Sequence, residues 1–311
     1  MSNLDQIYAE AFKDFEVGDF PAGLGVEVTN HCNLRCPMCP REIANRGYGN
    51  LDWDLFKKIA DEAAGRPKTI FLPQGFGESL IHPEFTRMLS YLGEVGVELT
   101  MIVSNGTYLN EKNCSEIIDS GIAFINISLD GTDKETYEKI RVKANYEEVV
   151  ENVERFFRIR TEKGAKLPRV ILRMIKMTET ADDVENYKAR WQPFLEEGDE
   201  IAFSTYQTWS SSVEDKRVDA EVDAATAVIK DIAKEERKPC RMLFKTMQVY
   251  YDGRSTPCCY DYDCEMDIGN ANDQTISEIW TGDKAQHFRK LHEDGRADEI
   301  SICATCREFI P

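Results

Sequence analysis

No apolar run in this chain approaches the roughly 20 residues that a bilayer-spanning helix needs, which argues against a helical membrane anchor. The first residues, Met1 to Asp19, also lack the basic start and apolar stretch of a secretion signal. They carry Asp5, Glu10, Asp14, Glu16 and Asp19 instead. Together these absences predict a soluble, cytoplasmic protein with no membrane partner. Positive charge is scarce as well: 38 Lys and Arg stand against 56 Asp and Glu, a formal net charge of −18. That balance offers no broad phosphate-binding face and argues against tRNA or DNA as substrate. It reads as a solvated acidic surface. Internal repeats and low-complexity segments are missing too. What is present is 311 residues, 42% of them hydrophobic, enough for one large domain with a smaller companion or for two modest domains.

Cysteine is not scarce. There are ten, and nine fall into two groups. Without a secretion signal, clustered cysteines point to metal rather than disulfides. Cys32, Cys36 and Cys39 lie at C-x3-C-x2-C spacing within His31 to Pro40. Three thiolates on one short loop can hold three irons of a [4Fe–4S] cluster, leaving the fourth iron open to a ligand. Zinc sites usually pair their cysteines as C-x2-C with a distant second pair, so this pattern counts against zinc. The second group is Cys240, Cys258, Cys259, Cys264, Cys303 and Cys306. Cys114 stands apart in a predicted helix and reads as a small buried hydrophobe.

Between the two groups, strand and helix alternate. Strands are predicted over 24–30, 69–72, 97–103, 123–129, 170–177 and 201–206. Helices are predicted over 52–64, 83–95, 110–120, 146–160 and 181–195, where apolar residues recur at three- and four-residue steps. Six such units imply parallel strands with right-handed crossovers. The alternation alone fits either a partial barrel or an open doubly wound sheet. In both, ligands gather at the C-terminal ends of the strands, and the unusual polar stretches of this chain fall there.

The cysteine loop, following the apolar run Leu24 to Val28, resembles the signature of radical S-adenosylmethionine (SAM) enzymes. The resemblance implies a partial (β/α)6 TIM-like barrel in an α/β fold. It also implies that SAM chelates the open iron and is cleaved by one electron to a 5′-deoxyadenosyl radical, which takes a hydrogen atom from the substrate. The electron would come from a reductant such as flavodoxin or ferredoxin. Met38 fills the position that the family sets against the adenine. Gln74-Gly75-Phe76-Gly77-Glu78 is similar to the family's Gly-Gly-Glu motif, with Phe76 interrupting the glycines. This carries a SAM-binding role to Gly77 and Glu78. Ser104-Asn105-Gly106 resembles the turn near the SAM ribose. Ser128-Leu129-Asp130-Gly131 with Arg141 resembles the element that holds the ribose and carboxylate, for which an arginine fork suits the carboxylate. Here Tyr137 and Val142 replace the family's usual histidine and glycine. Side chains of strands five and six (Arg173, Lys176, Met177, Ser204, Tyr206, Gln207, Trp209) either face SAM and substrate or alternate between inside and outside positions.

Cys240-x12-Gly253-x4-Cys258, followed by Cys303-x2-Cys306, resembles the auxiliary-cluster domain of the SPASM/twitch branch. The resemblance implies a small C-terminal α+β domain whose Cys240, Cys258, Cys303 and Cys306 close a second [4Fe–4S] cluster; thiolate count alone also fits zinc. Cys259 and Cys264 are left over, either structural or a hydrogen-atom donor to a substrate radical. The expected domains are an N-terminal extension (1–23), the barrel (24–209), a linker and connecting helix (210–237) and the auxiliary domain (238–311). The single-cluster form resembles the aminocyclitol dehydrogenases, which implies oxidation of a carbohydrate-like small molecule with the second cluster taking an electron. The alternatives are a redox-neutral epimerase and a maturase acting on a peptide or protein. Only 23 residues precede the first strand, against about 80 in a peptide-binding domain of that branch, too few to pack.

Overall fold

The computed structural model describes residues 3–209, 212–214, 216 and 238–306. The connecting helix expected over 220–237 lies outside the described residues.

Six parallel strands carry the barrel: β1 (Gly23–Val26), β2 (Ile70–Leu72), β3 (Met101–Ser104), β4 (Phe124–Ser128), β5 (Arg169–Lys176) and β6 (Glu200–Thr205). Their order is sequential: β2 pairs with β1, β3 with β4, β4 with β5 and β5 with β6. A parallel bridge from Phe71 to Thr100 joins the two halves. The helices between them are α2 (Trp53–Ala63), α3 (Phe85–Val95), α4 (Glu111–Asp119), α5 (Lys134–Ile140), α6 (Tyr146–Glu162) and α7 (Val184–Trp191), preceded by α1 (Asn3–Ala11). Sequence reading missed α5, whose N-cap Asp133 accepts from Thr136 N. Sequential order with crossover helices closes the strands into a partial TIM-like barrel rather than an open sheet.

Local chemistry accounts for the elements. In α2, Leu55, Phe56, Ile59, Ala60 and Ala63 are buried at helical spacing, and Asp52 caps the helix by accepting from Asp54 N. Phe56 meets Phe71 edge-on, and losing its ring to alanine would cost about 3–5 kcal/mol. Period-two alternation assigns the faces of the strands. Val170, Leu172 and Met174 of β5, with Ile125 and Ile127 of β4, pack into the main core against the helices. Ile171, Phe124 and Met101 face the other way, into the barrel, where Ile7 and Tyr8 of α1 pack on them and form its floor.

The barrel sheet does not stop at the first six strands. β7 (Thr246–Val249) lies parallel to β1, with Leu24 opposite Met247. It turns through Tyr250–Arg254 into β8 (Arg254–Thr256), which pairs antiparallel with it, and β9 (Gly269–Asn270) follows. Asp252-Gly253 is a hairpin turn signal in the sequence, and the hairpin forms there, its first strand extending the barrel rather than standing apart. Around it pack α8 (Met242–Lys245), α9 (Ile276–Thr281), α10 (Asp283–Glu293) and α11 (Ser301–Ala304).

Candidate active site

The cysteine loop leaves β1 at the C-terminal mouth of the barrel. Its backbone is fixed by Glu78 N donating to His31 O at 2.9 Å and by Cys39 N donating to Cys36 O at 3.0 Å. Gly77 lies under the loop so tightly that an added Cβ would stand 2.3 Å from Thr29 O and 2.7 Å from His31 O. Both contacts are backbone and cannot swing away, so glycine is required here.

Donors point at the thiols. Cys32 Sγ accepts from Leu34 N at 3.4 Å and from Asn105 Nδ2 at 3.8 Å. Cys36 Sγ accepts from Arg141 Nη1 at 3.8 Å. Burial pushes the Cys32 thiol up to about 11, with Glu78 and Cys36 adding to the rise. Burial likewise raises Cys39, and Cys36 adds to it. A loop that carries three thiols and surrounds them with N–H donors suits thiolates neutralised by iron. Among the described residues no three His, Cys, Asp or Glu side chains converge as around a single ion. None of the ten cysteines, all among the described residues, is joined in a disulfide.

The neighbouring polar residues brace one another. Glu78 is buried and accepts from Asn105 N at 2.7 Å, Ser104 Oγ at 2.9 Å and Leu80 N at 3.3 Å. Burial raises its pKa, and these hydrogen bonds pull against the rise. Asn105 Nδ2 also reaches Asn33 Oδ1 at 3.1 Å. The Gly-Glu and Ser-Asn-Gly stretches, 26 residues apart, are thus one network under the cysteine loop. Asp130 accepts from Ile175 N and from Arg141 Nε, both at 2.7 Å, so Arg141 is held with Nη1 toward Cys36. Burial would lower the Arg141 pKa, but Asp130 reverses the effect and raises it. Ser128 is part-buried at the end of β4, opposite Arg173. Met38 packs with Ile140, Met177 and Tyr206, and its carbonyl accepts from Trp209 Nε1 at 2.7 Å.

In the C-terminal group, Cys240, Cys258 and Cys303 are buried in one apolar cluster with Leu243, Phe244 and Ile300. Burial drives the Cys258 thiol well above its usual value, and Cys259, Cys240 and Cys303 add to it. Cys306 is part-buried, one turn after Cys303. Thiols shielded together from water fit a closed cluster. Cys264 is elsewhere: its Sγ donates to Ser255 O at 3.8 Å, and burial lifts it to about 12. Cys259 lies within electrostatic reach of Tyr8 on the barrel floor.

Two groups escaped sequence reading. Glu27 follows β1 and forms a buried ion pair with Arg46 at 2.7 Å. The guanidinium lies over the Tyr250 ring at 4.0 Å and donates to Tyr262 O at 2.6 Å, so it ties the cysteine loop to the auxiliary module. A carboxylate inside an apolar strand run was the available signal. The second is an aromatic wall, of which the sequence offered Trp209 as a possible site residue but not its partners: Phe76 meets Trp209 at 5.4 Å and Tyr262 at 6.4 Å, and Trp209 meets Tyr260 at 5.5 Å. The phenylalanine that breaks the glycine pair is part of this wall between the two cysteine groups.

Known proteins match along the chain. The family model of the radical SAM superfamily matches residues 26–189, and that of the SPASM iron–sulfur cluster-binding domain matches residues 240–307. The tungsten-containing aldehyde ferredoxin oxidoreductase cofactor-modifying protein of Pyrococcus furiosus is 25% identical, over 90% of this chain and 86% of its own. The AdoMet-dependent heme synthase of Methanosarcina barkeri is 24% identical, over 92% and 91%. Among solved structures, BtrN in complex with AdoMet and 2-DOIA has a TM-score of 0.59 at 18% identity, covering 92% of each chain. Streptococcus suis SuiB bound to precursor peptide SuiA has a TM-score of 0.67 at 14% identity, covering 98% of this chain and 73% of that one. With more than half its length matched by the superfamily model and a SPASM domain behind it, this chain belongs to the radical SAM superfamily as a SPASM/twitch enzyme that uses SAM and [4Fe–4S] clusters.

Proposed function

We propose that the protein dehydrogenates a small, polar, carbohydrate-like substrate held inside the barrel. The observation that carries this reading is one aromatic wall with a part-buried thiol group on one side and a mostly buried one on the other. Cys32, Cys36 and Cys39 would hold the SAM-binding cluster, and Cys240, Cys258, Cys303 and Cys306 a closed auxiliary cluster. Bound there, SAM and the clusters would supply one-electron chemistry: abstraction of a hydrogen atom from the substrate, and an acceptor for the electron that a dehydrogenation leaves behind.

The chain's own residues hold the two ends together. Glu78, Ser104 and Asn105 brace the loop, and Asp130 orients Arg141 toward Cys36. Gly77, Met38 and Ser128 are assigned to SAM contacts on the family pattern. The Glu27–Arg46 pair fixes the loop against the auxiliary module. Such bracing sets the reacting geometry, which is where positioning pays in rate.

A second reading is a redox-neutral epimerisation, for which Cys259, within electrostatic reach of Tyr8 on the barrel floor, is the donor candidate. Cys264, bonded inside the auxiliary module, is the weaker donor candidate. A peptide maturase is the third; the Mycofactocin maturase MftC of Mycobacterium ulcerans is 29% identical over 46% of this chain.

The test begins with metabolite profiles of cells with and without the gene, to find the precursor that accumulates. That compound, given to reduced holoenzyme with SAM in deuterium oxide, should return a product oxidised by two electrons, with Cys259→Ala still turning over. An isomeric product carrying solvent deuterium, lost in Cys259→Ala, would replace dehydrogenation with epimerisation. Accumulation of an unmodified peptide would replace both with the maturase reading.

A further inference from the structure

The buried and half-buried arginines of this fold are completed in different ways, Arg289 for instance by the carbonyls of Leu243 and Trp280. Arg46 is closed by Glu27, Arg141 by Asp130 and Arg160 by Asp199. Arg173 has no carboxylate partner among the described residues, and its Nε is buried without a hydrogen bond. Burying a guanidinium donor unpaired is costly unless something else completes it.

The position of Arg173 is set by its strand. Ile171, two residues before, lies on the apolar floor with Tyr8. Ile175, two residues after, packs beside Met38 and Cys36 at the mouth. Leu172 and Met174 face the helices. The side chain of Arg173 therefore enters the barrel between its floor and the cysteine loop. Asn126 on β4 does the same: Phe124 before it is on the floor, and Ile125 and Ile127 face the helices. Asn126 is 5% exposed, and its Oδ1 has no hydrogen-bond partner. Other inward residues at this level, Val103 and Ser128, are only part-buried, whereas their outward neighbours Ile102, Ile127 and Leu129 are buried. The interior above the floor is therefore open rather than filled.

We infer that Arg173 and Asn126 form the substrate-anchoring site of the barrel, and that the substrate carries a carboxylate or phosphate group with a hydroxyl or amine beside it. The guanidinium takes the anion through parallel N–H donors. The Asn126 carbonyl accepts from the neighbouring hydroxyl or amine. The apolar floor below limits how deep the substrate sits, and the hydrogen to be removed then lies toward the mouth, where the cysteine loop stands. This inference rests on the small-molecule reading above and narrows its substrate class to acids.

The test is a calorimetric titration of anaerobically reconstituted, SAM-saturated holoenzyme. The probes are D-gluconate (a carboxylate), glycerol 3-phosphate (a phosphate) and glycerol as the neutral control. One or both anions should bind, and glycerol should not. Arg173→Met should weaken the anion by roughly tenfold or more, the loss expected for a charge-assisted hydrogen bond. Arg173→Lys should retain part of the affinity by keeping the charge without the fork. Asn126→Leu should weaken the probe several-fold while glycerol stays silent. Which anion binds more tightly identifies the group. Wild type that binds neither anion, or Arg173→Met that binds as wild type does, overturns the inference. Iron content and melting temperature of each variant, matched to wild type, exclude a folding defect. Because binding is read without turnover, its failure leaves the outcome of the reaction test untouched.

Discussion

Glu27 and Arg46 face each other as a fork-to-fork ion pair, Nη1 to Oε1 at 2.7 Å and Nη2 to Oε2 at 3.0 Å, with almost no solvent on either side chain. The carboxylate also accepts from Phe76 N. One buried pair thus joins the end of β1, the cysteine loop's return, the Gly-Glu loop and, through Tyr250 and Tyr262, the auxiliary module.

Removing one partner leaves the other charged and buried. Arg46→Met should cost about 3–5 kcal/mol, and Glu27→Leu with Arg46→Met together should cost less than the sum of the two single changes. Urea unfolding of the three variants measures this, and strict additivity would show that the pair is not coupled.

Gly77→Ala should displace the cysteine loop. Its Cβ meets two backbone carbonyls, so the strain should be at least roughly 1–3 kcal/mol. Iron incorporated at the SAM-binding loop should fall while the C-terminal group still loads; a variant with unchanged iron would refute the steric argument.

Iron and sulfide analysis separates the two cysteine groups. Wild type should reconstitute to about eight irons per chain, and the Cys32/Cys36/Cys39→Ala variant to about four. About four irons falling to none, with zinc retained, would remove the auxiliary cluster and with it the electron acceptor that dehydrogenation needs.

His82 gives the fold a pH dependence of known sign. Its Nδ1 accepts from Glu84 N and its Nε2 donates to Leu51 O, so both nitrogens are used by the neutral ring. Burial lowers its pKa below the usual imidazole value. Charging the ring in the folded state requires Nδ1 to become a donor against another donor. The stability it contributes is therefore present above about pH 6.5 and is lost as pH falls toward the lowered value. Melting temperature followed from about pH 7.5 to 5.5 should fall more steeply for wild type than for His82→Asn.

Much of the fold was legible because it rests on local signals. Asp52, Asn110 and Asn145 each cap a helix where the sequence has a capping residue before an apolar period. The strand that became β7 was visible as a hairpin with Asp252-Gly253 at its turn. Its parallel pairing with β1, more than 200 residues away, was not. The short helix α5 was missed because its apolar residues, Tyr137 and Ile140, are too few to set a period.

The sequence by itself determined the chemistry on offer and the class of fold: the spacing of Cys32, Cys36 and Cys39, the four later thiols, and the six alternations of strand and helix. These are decided by ligand type and local periodicity, which the chain carries residue by residue. Only the tertiary structure decided which polar residues share a site. In a barrel both faces of every strand are covered, one by helices and one by the interior. Alternation alone therefore cannot say that Arg173 and Asn126 point inward. The Glu27–Arg46 pair and the Glu78–Ser104–Asn105 brace likewise join residues whose meeting depends on strand order, and strand order is a property of the packed sheet.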